Sequence, residues 1–193
     1  MKNYFNLGPY SRSITCNSKE AEIWFNRGLN WCYAFHHKEA IQCFKKTILL
    51  DPSCAMGYWG IAYASGPYYN IPWDKMSPSG RPLAIKTSYE FSQKAFEIVK
   101  SKSFSELEKK LCKALVKRFQ KSKMDNLETL YSWDDDYANA MRLVYHEFPH
   151  DYDVCALTAE SMMVRTPWQL WDLKNRIPAE GTDTLEAIEI VEK

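Results

Sequence analysis

The stretch from Ser18 to Pro52 constrains the fold more than any other part of the chain. Apolar residues recur there at helical spacing (Ile23, Trp24, Leu29, Trp31, Tyr33 and Ala34), behind Ser18 in an N-cap position and Glu20 and Glu22 in the first turn. His36-His37 interrupts the pattern. A second helical run extends from Lys38 to Leu50, with Ala40, Ile41, Phe44, Ile48 and Leu49 at its apolar positions. Asp51-Pro52 ends it, because the residue before a proline is pushed out of the α region. Two short amphipathic helices joined by a tight turn cannot bury their apolar stripes alone. They need further helices stacked against them, so the pattern predicts an all-α chain of antiparallel helix pairs.

Residues 21–54 have the ~34-residue length and the punctuation of a tetratricopeptide unit. With Ala21 as position 1, Trp24 falls at 4, Gly28 at 8, Ala40 at 20, Phe44 at 24 and Pro52 at 32. Small residues at 8 and 20 let the paired helices approach, and large ones at 4 and 24 fill the space between them. Arg27, Trp31 and Thr47 depart from the pattern at 7, 11 and 27. The repeat resembles the tetratricopeptide family, which implies a right-handed α-α superhelix.

An A-type helix follows over 55–65, with Tyr58 and Ala62 at positions 4 and 8. An insertion over 66–82, rich in proline and aromatics, replaces the expected tight turn and reads as an ordered loop. Helices are expected from Leu83 to Val99, from a cap at Ser103 or Ser105 to Gln120, from Leu130 to Phe148, from Asp153 to Arg165, and from Thr184 to Lys193. A second irregular segment begins at Thr166. The chain thus divides into a polar, turn-rich lead-in over 1–17 and one helical domain over 18–193. No period-two run with hairpin turns predicts a strand.

Longer motifs carry a narrower resemblance. They are Tyr33-Ala34-Phe35-His36-His37-Lys38-Glu39-Ala40, Cys54-Ala55-Met56-Gly57-Tyr58-Trp59-Gly60-Ile61-Ala62, Gly66-Pro67-Tyr68-Tyr69-Asn70 and Pro167-Trp168-Gln169-Leu170-Trp171. On these the chain is similar to a largely uncharacterised bacterial and fungal group of tetratricopeptide proteins. Members of that group are longer and carry a His-rich segment beyond the point where this sequence stops. The resemblance implies that the chain is the N-terminal part of a longer array. It brings no catalytic residue with it. A last helix without an evident cap implies self-association as a further expectation.

A formal net charge of +1 gives no global attraction to nucleic acid, and no apolar run reaches the ~20 residues of a membrane helix. Six cysteines without a C-x-x-C pair read as free thiols in a reducing compartment, and the expected location is cytoplasmic. No cofactor is implied. The histidine pairs His36-His37 and His146/His150 lack chelating geometry and read as turn or cap residues, so no metal site is expected. Asp134-Asp135-Asp136 reads as the acidic start of the long helix. Lys109, Lys110, Lys113, Lys117, Arg118, Lys121 and Lys123 read as a solvated basic face. A carboxylate clamp for chaperone C-termini is excluded, because Phe25 and Leu29 occupy its positions.

Tyrosine and tryptophan are abundant, at 12 and 7 residues, and they concentrate in the irregular segments. The candidate binding residues are Trp59, Tyr63, Tyr68, Tyr69, Asn70 and Trp73, with Trp168 and Trp171 from the second segment. One reading is a scaffold whose concave groove, bordered by the aromatic loop, holds a protein or peptide partner. The competing reading is an enzyme or a small-molecule- or metal-binding protein. Its pocket is closed by the 66–82 loop, with Glu160, His146 or Asp74 for acid–base work. A third reading makes the loop a seal over the core, packed on Pro167, Trp168 and Trp171.

Overall fold

The computed structural model describes residues 4–101 and 103–192. Among these the α-helices are Lys19–Tyr33 (α1), His37–Leu50 (α2), Ala55–Ser65 (α3), Gly80–Ile98 (α4), Glu106–Arg118 (α5), Leu127–Glu147 (α6), Tyr152–Arg165 (α7) and Thr184–Val191 (α8). The chain is all-α, as expected. Lys193, the expected last residue of the final helix, lies outside the described residues. No helix is long and apolar enough to cross a membrane among the described residues.

Local chemistry sets the helix starts. The Ser18 hydroxyl accepts the Ala21 N–H, His36 Nδ1 accepts that of Glu39, and Asp151 accepts that of Val154. Ser105 and Glu108 form a reciprocal capping box on α5. Two helices start three residues before the expected position. α4 begins at Gly80, because Pro82 falls in the first turn, where its missing N–H is harmless. α6 begins at Leu127, because Asn126 accepts the Thr129 N–H at 2.8 Å. Asp134-Asp135-Asp136 therefore lies inside the helix, which corrects its placement at the start.

Each helix packs on its chain neighbours, and α1 also reaches α3, as α3 reaches α5. Phe44 of α2, fully buried, fills the junction of α1, α2 and α3. A Cβ on Gly28 would lie 2.5 Å from its ring, and one on Gly60 would lie 2.6 Å away. The glycines at these two positions are what lets three helices converge on one phenylalanine.

Two long connections break the pattern of tight turns. Residues 66–79 join α3 to α4. They hold a Tyr68–Ile71 bridge and a 3-10 turn at Trp73–Lys75. Residues 166–183 join α7 to α8 and contain a strand pair that the sequence pattern does not predict. Trp171–Asp172 (β1) runs antiparallel to Ile177–Pro178 (β2). Asp172 accepts the Lys174 and Asn175 N–H groups at 3.0 Å, and Arg176 takes a φ of +59°. Two-residue strands are too short to show alternation.

Candidate functional site

The two irregular segments meet. Tyr69 packs against Trp168 with ring centroids 5.2 Å apart, and the Tyr131 hydroxyl of α6 donates to Asp74 at 2.9 Å. A cleft of about 480 Å³ lies between Pro72–Lys75, Tyr131 and Arg165–Gln169. The eight predicted residues divide by depth. Trp59 and Trp73 are sealed in the core, and Tyr63, 8% exposed, stacks on Trp59 at 5.1 Å. Tyr68 is half-buried, edge-on to His37 at 4.0 Å. Asn70, Trp168 and Trp171 face solvent.

Beneath the loop lies a buried charge cluster that the sequence pattern hides. Arg118, at the end of α5, has no solvent exposure and does not belong to the solvated basic face assigned to it. Its Nε donates to Asp134 Oδ1 of α6 at 3.2 Å, and its Nη2 donates to the Pro67 carbonyl at 3.1 Å. Nη1 stands 3.8 Å from Glu160 Oε2 of α7, and the guanidinium lies over the Tyr137 ring at 4.8 Å. One cation thus ties the start of the insertion to three helices. Burial raises the Asp134 carboxyl to about 7 against the opposing pull of Arg118. Burial likewise raises Glu160, again against Arg118. His37 is lowered to about 4, first by burial and then by the positive charge of Arg118. Trp73 faces the Asp134 carboxylate and Tyr63 faces that of Glu160, while Arg118 Nη1, Tyr137 Oη and the Trp59 indole nitrogen are buried without a hydrogen-bond partner.

The lead-in is the other feature missed. It runs past α1 and the N-terminal ends of α5 and α7. Asn26 of α1 grips the main chain of Arg12 in both directions: its Oδ1 accepts the N–H at 2.6 Å and its Nδ2 donates to the carbonyl at 2.9 Å. Asn30, one turn later, donates to the Tyr10 carbonyl at 3.3 Å. The Arg12 guanidinium makes a two-pronged bond to Asp151, 2.9 Å on each prong, and reaches Asp153 at 2.6 Å. Asp153 also accepts the hydroxyls of Tyr10 and Tyr33. Burial pushes the Asp151 carboxyl up, but Arg12 outweighs this and holds it below the ordinary range. Thr15 donates its N–H and hydroxyl to Glu108, and the Asn17 N–H goes to Asp51 at 2.5 Å. Asn26 and Asn30 at i, i+4 on α1 were the available signal, since that spacing puts both amides on one face.

Among the described residues no group of His, Cys, Asp or Glu is arranged to hold a metal ion. No protein-family model, no curated protein and no solved structure matches the chain.

Proposed function

We propose that the chain is a tetratricopeptide-like scaffold that holds an extended segment of a protein partner along its helices. One observation carries this reading: Asn26 holds the backbone of residue 12 through both its N–H and its carbonyl. An amide that bonds both main-chain groups of one residue accepts any extended chain, and neighbouring side-chain pockets then supply selectivity. The succession of helix pairs, with α1 on α3 and α3 on α5, supports a stacked-repeat arrangement. In this reading the exposed aromatics Trp168 and Trp171, with Asn70, extend the contact surface beyond the groove.

The test is fluorescence anisotropy of the chain with its lead-in released (Arg12→Glu) against an array of extended peptides, with Asn26→Ala added as the control. Peptide binding that weakens about tenfold or more in the variant is expected, from the roughly 1–3 kcal/mol that two main-chain hydrogen bonds carry net. Absence of binding to every peptide would overturn the reading.

The unpartnered polar atoms around Arg118 favour a second reading, a site for a small polar molecule under the 66–79 loop. Thermal stabilisation by a metabolite, abolished by Glu160→Gln, with no response to peptides, would favour this second reading over the first.

A further inference from the structure

Over residues 10–17 the contacts to carboxylates share one chemical sense. The side chains of Tyr10, Arg12 and Thr15 and the main-chain N–H of Asn17 all donate, and the carboxylates Asp153, Asp151, Glu108 and Asp51 receive them. The acceptors are built into the scaffold: Asp51, Glu108 and Asp153 are each 5–6% exposed. Glu108 also closes the α5 capping box, and Asp151 caps α7, so both stay in position without the lead-in. The occupant lies at the surface, although Arg12 is tied to Asp151 and Asp153 and Ile14 and Cys16 pack against the core. None of residues 4–17 is buried, and a cleft of about 480 Å³ separates part of the segment from α1. Gly8, at φ +82°, turns the chain just before this stretch.

We propose that residues 10–17 stand in, within the same chain, for a separate partner that displaces them. The groove selects a donor-rich extended peptide: an aromatic hydroxyl two residues before an arginine, and a hydroxyl or amide donor three residues after it. Arginine is specified because Asp151 is met by two parallel N–H bonds, which an ammonium cannot supply. Acidic peptides are excluded by the four carboxylates. Lead-in and partner compete for one seat, so the apparent affinity for the partner is the intrinsic one reduced by the fraction of time the seat is empty. This inference rests on the peptide-holding reading above.

The experiment uses the full chain and a fluorescein-labelled peptide with the sequence of residues 4–17. Arg12→Glu releases the segment by repulsion from Asp151 and Asp153 and leaves the groove unchanged. Thr15→Glu, facing Glu108, releases it from the other end and serves if the first variant does not fold. The peptide is expected to bind either released variant at least about tenfold more tightly than the wild-type chain. The same peptide with glutamate in place of its arginine is expected not to bind. Equal binding to wild type and variant would overturn the competition. If a released variant binds other extended peptides but not this one, the partner chemistry is wrong while the groove reading stands. If it binds no peptide at all, both fail. Dimerisation of the wild-type chain that the free peptide reverses would make a second copy the occupant, and overturns the assignment to a separate partner.

Discussion

Replacing Arg118 by methionine removes the one cation from a cluster that keeps two carboxyl groups. The methionine side chain would fill much of the same volume, so the change isolates charge from packing. Asp134 is buried and the carboxylate oxygens of Glu160 are shielded from solvent, so neither can turn to water for compensation. Breaking a buried pair from one side costs about 3–5 kcal/mol, and the orphaned Pro67 carbonyl adds about 1 kcal/mol. Together these remove a large part of the ~5–15 kcal/mol that stabilises a typical domain. At roughly 2–4 °C per kcal/mol for a chain of this size, Tm should fall by about 8–24 °C. Urea denaturation followed by circular dichroism and tryptophan fluorescence at pH 7.5 measures the change. The loss should shrink at pH 5, where the two carboxyls, already raised by burial, take up protons. Adding Asp134→Asn and Glu160→Gln to the variant should recover most of it. A single variant within about 1 kcal/mol of wild type, or a triple variant no better than the single, would refute the account of the cluster.

Gly60→Ala should destabilise by about 1–3 kcal/mol, because the added Cβ would press on a phenylalanine that has no free space; an unchanged urea midpoint would contradict this packing. Asp134→Asn isolates one pH term. The folded-state carboxyl titrates at about 7 against an ordinary 3.8, so it favours folding below pH 4 and that contribution is lost as pH rises to 7. Wild type should therefore lose up to about 4 kcal/mol relative to the variant between pH 4 and pH 7.5, measured by urea titrations at both. His37, lowered to about 4, contributes the opposite slope between pH 4 and its ordinary 6.5, and His37→Gln should remove that slope in the same assay. Thr15→Glu should expose residues 4–17 to limited proteolysis while the helical signal is retained, and an unchanged cleavage pattern would count against the segment's docking at Glu108.

The regular parts of the fold are readable because periodicity and caps act locally. Ser18, Pro52 and the apolar stripe of α1 each report on neighbours within one turn, and the structure keeps α1 and α2 close to their expected positions. The candidate surfaces are less readable because they depend on contacts between distant parts of the chain. Arg118 sits among lysines in the sequence, and only the arrival of Asp134, Glu160 and the Pro67 carbonyl distinguishes it from a solvated residue. Asp134 is hidden in the same way inside an acidic triplet. The lead-in carries polar residues and turn formers, which look the same whether a segment is solvated or held by carboxylates more than ninety positions away. The aromatic segments stand out in the sequence as places where the helical pattern is broken. Their depth is not legible there: Trp73 and Asn70 lie three residues apart, one sealed in the core and the other in solvent.

Hydrogen exchange at the lead-in amides tests the main-chain grip directly. The N–H groups of Arg12, Thr15 and Asn17 donate to Asn26, Glu108 and Asp51, so all three should exchange well below free-peptide rates in the wild-type chain. Asn26→Ala should release Arg12 first. Free-peptide exchange at all three amides, with α1 still protected, would contradict the claim that this helical chain holds an extended segment by its backbone.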